Sequence, residues 1–67
     1  MKEFEELKRA RESKHLSQID LYLLSGVGQA NISRIERGLA SPTLITLKKF
    51  ADAMDMKLVV RFEEIEK

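Results

Sequence analysis

Cysteine is absent from this sequence, as is tryptophan. Without cysteine there are no disulfides and no thiolate metal sites, so the chain suits a reducing compartment and is expected to be cytoplasmic. No apolar run approaches the roughly 18 residues needed to span a bilayer, and residues 1–9 are too charged for a cleavable signal segment. There is a single proline, Pro42, and three glycines, Gly26, Gly28 and Gly38. No phosphate loop, nucleophile triad or metal-ligand spacing is present. No cofactor, metal or enzymatic activity is therefore expected. His15 stands without a partner nucleophile or ligand and reads as an exposed loop residue. The pairs Glu5-Glu6 and Glu63-Glu64 lie on highly charged segments and read as solvated faces. Charge of one sign is lacking too, since the net charge is only +1.

What is present is a chain of 67 residues, a third of them charged. That length suits one domain, residues 1–67, with a thin core that a second copy often completes. Residues 2–14 read as a helix, because Phe4, Leu7 and Ala10 recur at one-turn spacing. Ser17 is a good N-cap for a second helix, and Asp20 suits the positive end of its dipole. This helix, 18–25, stops at Gly26, which tolerates the left-handed backbone of a sharp turn. A third helix runs over 29–37, with Ile32 and Ile35 inward and Gly38 as its stop. Thr43 caps a fourth, extending to about Met54, whose core stripe is Leu44, Leu47, Ala51 and Met54 with Phe50 beside it. Met54 and Met56 read as core filler.

The period then changes. Leu58, Val60 and Phe62 alternate with Lys57, Val59 and Arg61, so 57–62 is expected to be a strand. Nothing else in the chain resembles one. A lone strand leaves its backbone groups unpaired. The simplest partner is the same strand of a second copy, which makes Leu58, Val60 and Phe62 candidate dimerisation residues.

Residues 18–37 have the makings of a DNA reader. A helix that reads base edges must fit the major groove, about 12 Å wide. A preceding helix must brace it across the phosphates, with a short turn between. Leu21, Val27, Ile32 and Ile35 supply the inner faces and Gly26 the turn. Gln29, Asn31, Ser33 and Arg34 supply a polar outer face. Gln and Asn pair with adenine in bidentate fashion, and Arg with guanine. The plainer alternative is a solvated helix face, which polar faces often are.

The full pattern weighs against that alternative. Leu16-Ser17-Gln18, Leu21, Gly26-Val27, Ile32-Ser33-Arg34-Ile35-Glu36-Arg37-Gly38, Ser41-Pro42-Thr43-Leu44 and Leu47 to Met54 together resemble the phage-repressor and Cro type (XRE-like) of helix-turn-helix family. The resemblance implies an all-α fold, a compact four-helix bundle of the lambda-repressor-like type. It also implies a homodimer on double-stranded palindromic DNA. By position it places Gln18 on phosphate and Gln29, Ala30, Asn31 and Arg34 on bases. Arg37 and the loop to Ser41 come near the backbone, and Ser17, Gly28 and Ser33 complete the expected DNA-binding set. It matches Arg11 and Glu36 to a structural ion pair. Glu36 would then be withdrawn from the surface, leaving Arg34 and Arg37 as the solvated charges of 26–42.

Three positions depart from the family pattern. Tyr22 stands where alanine is preferred because the two helices pack closely. Ser25 replaces an apolar residue, and Gly28 replaces a serine or threonine N-cap. A strand in place of a fifth helix resembles the antitoxin subset, which implies a toxin protein as a further partner. Three readings stay open: an autonomous repressor, an antitoxin, and an interaction module that has lost DNA binding. Ile19, Leu23 and Leu24 on the second helix are apolar where the family is polar. They are either covered by the chain's own termini or form a partner surface. A DNA binder of this kind would be nucleoid-associated.

Overall fold

In the computed structural model, residues 2–60 and 62–65 are described, with side chains from residue 6 onward. Phe4 as a core residue and Arg61 as part of a strand lie outside that description. The described residues form four helices: α1 (Lys2–Ser13), α2 (Gln18–Ser25), α3 (Gln29–Glu36) and α4 (Leu44–Ala53). α2 packs against both α3 and α4, and α1 packs against α3.

Each helix end has a chemical cause. Ser17 caps α2 reciprocally: its hydroxyl accepts from the Asp20 N–H at 3.0 Å, and its own N–H donates to the Asp20 carboxylate at 2.9 Å. This is a capping box. The backbone and hydroxyl hydrogen bonds from Ser17 hold the Asp20 carboxyl below its ordinary pKa. Thr43 caps α4 in one direction only, its hydroxyl accepting from the Thr46 N–H at 3.1 Å. α1 ends on His15, which is exposed at φ 58°. There the His15 N–H reaches the Glu12 carbonyl and the Leu16 N–H reaches that of Arg11. α3 ends likewise on Gly38 at φ 76°, with bonds from Gly38 to Ile35 and from Leu39 to Arg34. Both are Schellman closures, which satisfy the orphaned carbonyls of a last helical turn.

The core consists of Leu7, Leu21, Val27, Ile32, Ile35, Phe50 and Met54. Leu21, Ile32, Ile35 and Phe50 are almost wholly buried, and each contributes roughly 1.5–3 kcal/mol by leaving water. One of these side chains comes from α2, two from α3 and one from α4, and that shared core fixes how α3 sits on α2.

Four expectations are corrected. Leu44 is exposed, because it opens α4 and the buried stripe starts one turn later, running through Leu47, Phe50, Ala51 and Met54. Phe50 is therefore central to the stripe and not beside it. Met56 is also exposed, having left the helix for the tail. The strand expected at 57–62 is absent: no strand forms among the described residues. The physical reason is that a strand needs a neighbour for its backbone groups, and a single copy of this chain provides none.

Candidate nucleic-acid interface

α2, the turn 26–28 and α3 make two helices joined by a sharp corner, the arrangement expected of a brace and a reader. Gly26 makes the corner. Its φ is 77°, and its N–H closes α2 on the Tyr22 carbonyl at 2.8 Å. No atom stands within 4 Å of where a Cβ would sit, so the need for glycine is conformational, not steric. The Val27 N–H is taken up by the Ser25 hydroxyl at 3.1 Å. Serine at this position therefore serves the turn. Tyr22 points to the surface, 43% exposed. It is therefore not buried between α2 and α3.

Gly28 precedes the reader and offers no side-chain cap. Its carbonyl accepts from Asn31 and Ile32. The N-terminal N–H groups of α3 remain directed outward, as at any helix start. With Ile32 and Ile35 buried, the 3.6-residue period sends Ala30, Arg34 and Arg37 along the opposite side. Gln29, Ala30, Asn31, Arg34, Arg37 and Ser41 are exposed, and Ser33 is half-buried. Arg37 folds back to donate to the Ser33 carbonyl at 3.3 Å. Ser17 is exposed and occupied in its cap, and Gln18 is half-buried.

Behind the reader, Arg11 and Glu36 form a two-pronged ion pair. Nε of Arg11 meets Oε2 of Glu36 at 2.8 Å, and Nη2 meets Oε1 at 2.9 Å. The side chains are 10% and 4% exposed. Burial pushes the Glu36 carboxyl up. The hydrogen bonds from Arg11 and Gln18, with the charges of Arg11 and Lys8, outweigh burial and hold it below its ordinary range. The hydrogen bond to Glu36 pushes Arg11 up against the opposing effect of its own burial. The remaining Arg11 prong, Nη1, donates to the Leu16 carbonyl at 2.8 Å. One guanidinium thus ties α1, the bend before α2 and the end of α3. With Glu36 sequestered, the exposed charges of α3 are Arg34 and the following Arg37, both positive.

Gln18 joins this cluster by donating to Oε1 of Glu36 at 3.1 Å. Sequence reasoning assigned Gln18 only to phosphate and missed this bond. Its signal was weak, because Gln18 and Glu36 are far apart in the chain and only the relative placement of α2 and α3 brings them together.

The sequence matches the helix-turn-helix family over residues 7–60. The chain belongs to the helix-turn-helix family. Two relatives come from Sinorhizobium fredii, both HTH-type transcriptional regulators. One, y4dL, is 41% identical over 56 residues, which are 84% of this chain and 29% of the relative. The other, y4dJ, is 39% identical over 51 residues, 76% of this chain and 66% of the relative. The helix-turn-helix chain thus spans under a third of y4dL and about two thirds of y4dJ. Among solved structures it is similar to the restriction-modification controller protein C.AhdI from Aeromonas hydrophila, with a TM-score of 0.77 and 33% identity. That match covers 81% of this chain and 82% of the other. The helix-turn-helix is of the phage-repressor and Cro type. No helix among the described residues is long and apolar enough to cross a membrane.

Proposed function

We propose that this chain is a sequence-specific DNA-binding transcriptional regulator that represses by occupying a palindromic operator as a homodimer. The observation that carries this reading is the outer face of α3. It is exposed, polar and positive, while its one carboxylate is turned inward onto Arg11. Gln29 and Asn31 suit adenine, Arg34 suits guanine, and Ala30 suits a thymine methyl. Ser17, Gln18, Gly28, Ser33, Arg37 and Ser41 would meet the phosphates and sugars that set register.

The test is selection of bound sequences from genomic DNA, followed by Arg34→Ala and Arg37→Ala. Arg34→Ala is expected to lose on the order of 1–3 kcal/mol of discrimination at one base pair. Arg37→Ala should weaken all sequences alike and reduce the salt dependence by about one counterion. An Arg34→Ala protein that still prefers the selected site by the wild-type margin would remove α3 as the reader.

A second reading adds a protein partner, such as a toxin. The observation favouring it lies on α2, where Ile19, Leu23 and Leu24 are 54, 70 and 58% exposed. No other part of the described chain covers them. Three neighbouring apolar side chains on an eight-residue helix form a patch. Ile19→Glu with Leu23→Glu should leave melting temperature and DNA binding near wild type while abolishing partner capture. A lowered melting temperature would instead mark them as internal packing.

A further inference from the structure

The DNA contacts proposed above lie between Ser17 and Ser41, on α2, α3 and the loop that follows. α1 carries a further cation beside them. Successive residues of a helix are turned by about 100°. Glu6, Arg9, Ala10 and Ser13 of α1 border a groove shared with α4 and the tail. Lys8 and Arg11 stand on the other flank, one turn apart. From there Arg11 reaches Glu36 of α3, so this is the flank along which α1 meets α3. Lys8 is exposed, and among the described residues it forms no ion pair.

The Glu36 carboxylate locates Lys8 relative to the other helices. Arg11 holds that carboxylate from α1, and Gln18 holds it from the start of α2. The charge of Lys8 is near enough to help keep it ionised. Lys8 and Gln18 therefore lie beside one group. Arg11 and Glu36 cancel each other in their buried pair. The exposed charges left on this flank are Lys8 and, one turn later, Glu12. Only the lysine can donate to a phosphate, and its four-carbon stem gives it reach. Resting on the DNA-binding reading above, we propose that α1 joins the interface, the Lys8 ammonium meeting a backbone phosphate next to the one at Gln18. Such a contact fixes the position of the protein on the duplex and carries no sequence information.

The test measures binding of the full chain, across a range of salt, to a duplex carrying the selected site and to an unrelated duplex. Lys8→Gln should bind both more weakly by a common factor. Its plot of log affinity against log salt should flatten by about 0.9 for each chain bound. Lys8→Arg keeps the charge and should restore the wild-type slope. Glu12→Gln removes the opposing charge and should strengthen binding to both duplexes. Lys48→Gln makes the same change of net charge on α4, where Lys48 pairs with Asp52 at 3.3 Å, and should leave the slope unchanged. Lys8 is exposed and outside the core, so Lys8→Gln should melt with the wild type. A Lys8→Gln chain with the wild-type slope overturns the α1 contact, as does a Lys48→Gln chain that flattens the slope equally. If Arg37→Ala flattens the slope while Lys8→Gln does not, DNA binding stands and only the α1 contact falls. A wild-type chain that binds neither duplex at low salt overturns the DNA-binding reading itself.

Discussion

Glu36→Gln is expected to cost about 3–5 kcal/mol of stability, as is Arg11→Met, because either change strands a buried charge. The geometry explains the size. Both prongs of the pair are short and the side chains are nearly inaccessible. A glutamine at position 36 would turn an amide donor toward the Arg11 guanidinium, which itself only donates. Arg11→Met would leave the Glu36 carboxylate with Gln18 alone and strip the Leu16 carbonyl of its donor. A domain this small has on the order of 5 kcal/mol in total. Either variant should therefore be left with only about 0–2 kcal/mol and melt far below the wild type. The double change Arg11→Met with Glu36→Leu should recover most of the loss, since an apolar pair of similar volume has no charge to desolvate. If both single variants melt like the wild type, the pair contributes nothing.

The same pair sets a pH window. Glu36 has a folded pKa below its ordinary value of 4.5. Its contribution is thus complete above that value, where it is ionised in both states. The contribution falls away as the pH drops through the lowered folded value. Wild-type stability should decline in acid, and part of that decline should be missing in Glu36→Gln. Asp20 is also lowered, and it is present in both proteins. The difference between their pH profiles therefore isolates Glu36.

Much of this fold was written in short-range signals. Ser17 and Thr43 as caps, Gly26 and Gly38 as left-handed stops, and Ile32 with Ile35 as an inward pair act within a few residues of themselves. They were legible because helix termini and apolar spacing are local chemistry. What was not legible depended on neighbours distant in sequence. Leu44 fits the periodic stripe of α4, yet no other element reaches over the helix start to bury it. The bond from Gln18 to Glu36 exists only once α2 and α3 are set at their mutual angle. The tail alternates as a strand does, and alternation states which residues share a face without supplying the backbone partner a strand needs. The outer face of the reader shows the same division. Its exposure follows from the buried Ile32 and Ile35. Its positive sign follows from withdrawal of Glu36, which needs Arg11 from another helix.

Removing the residues after Met56 should separate the folding of this chain from its function. The core runs from Leu7 to Met54 and contains no residue of the tail. Leu58 is only half-buried, and the other apolar residues of the tail are exposed. The truncated chain is therefore expected to keep its four helices and melt within a few degrees of wild type. Its association should nonetheless be lost. Two readers held one turn apart, about 34 Å, bind two half-sites as one event. Linking two binding units raises affinity by roughly 10²–10⁴ over the single unit. Truncation should thus weaken operator binding by that factor and also halve the sedimenting mass of the free protein. The salt dependence should fall in step, because each half-site then releases its counterions alone. A truncated chain that still sediments as a dimer would move the interface onto the helices. The exposed Leu44 and Ile45 at the start of α4 would then be the first residues to replace, since they are the other large apolar side chains that α4 leaves in water.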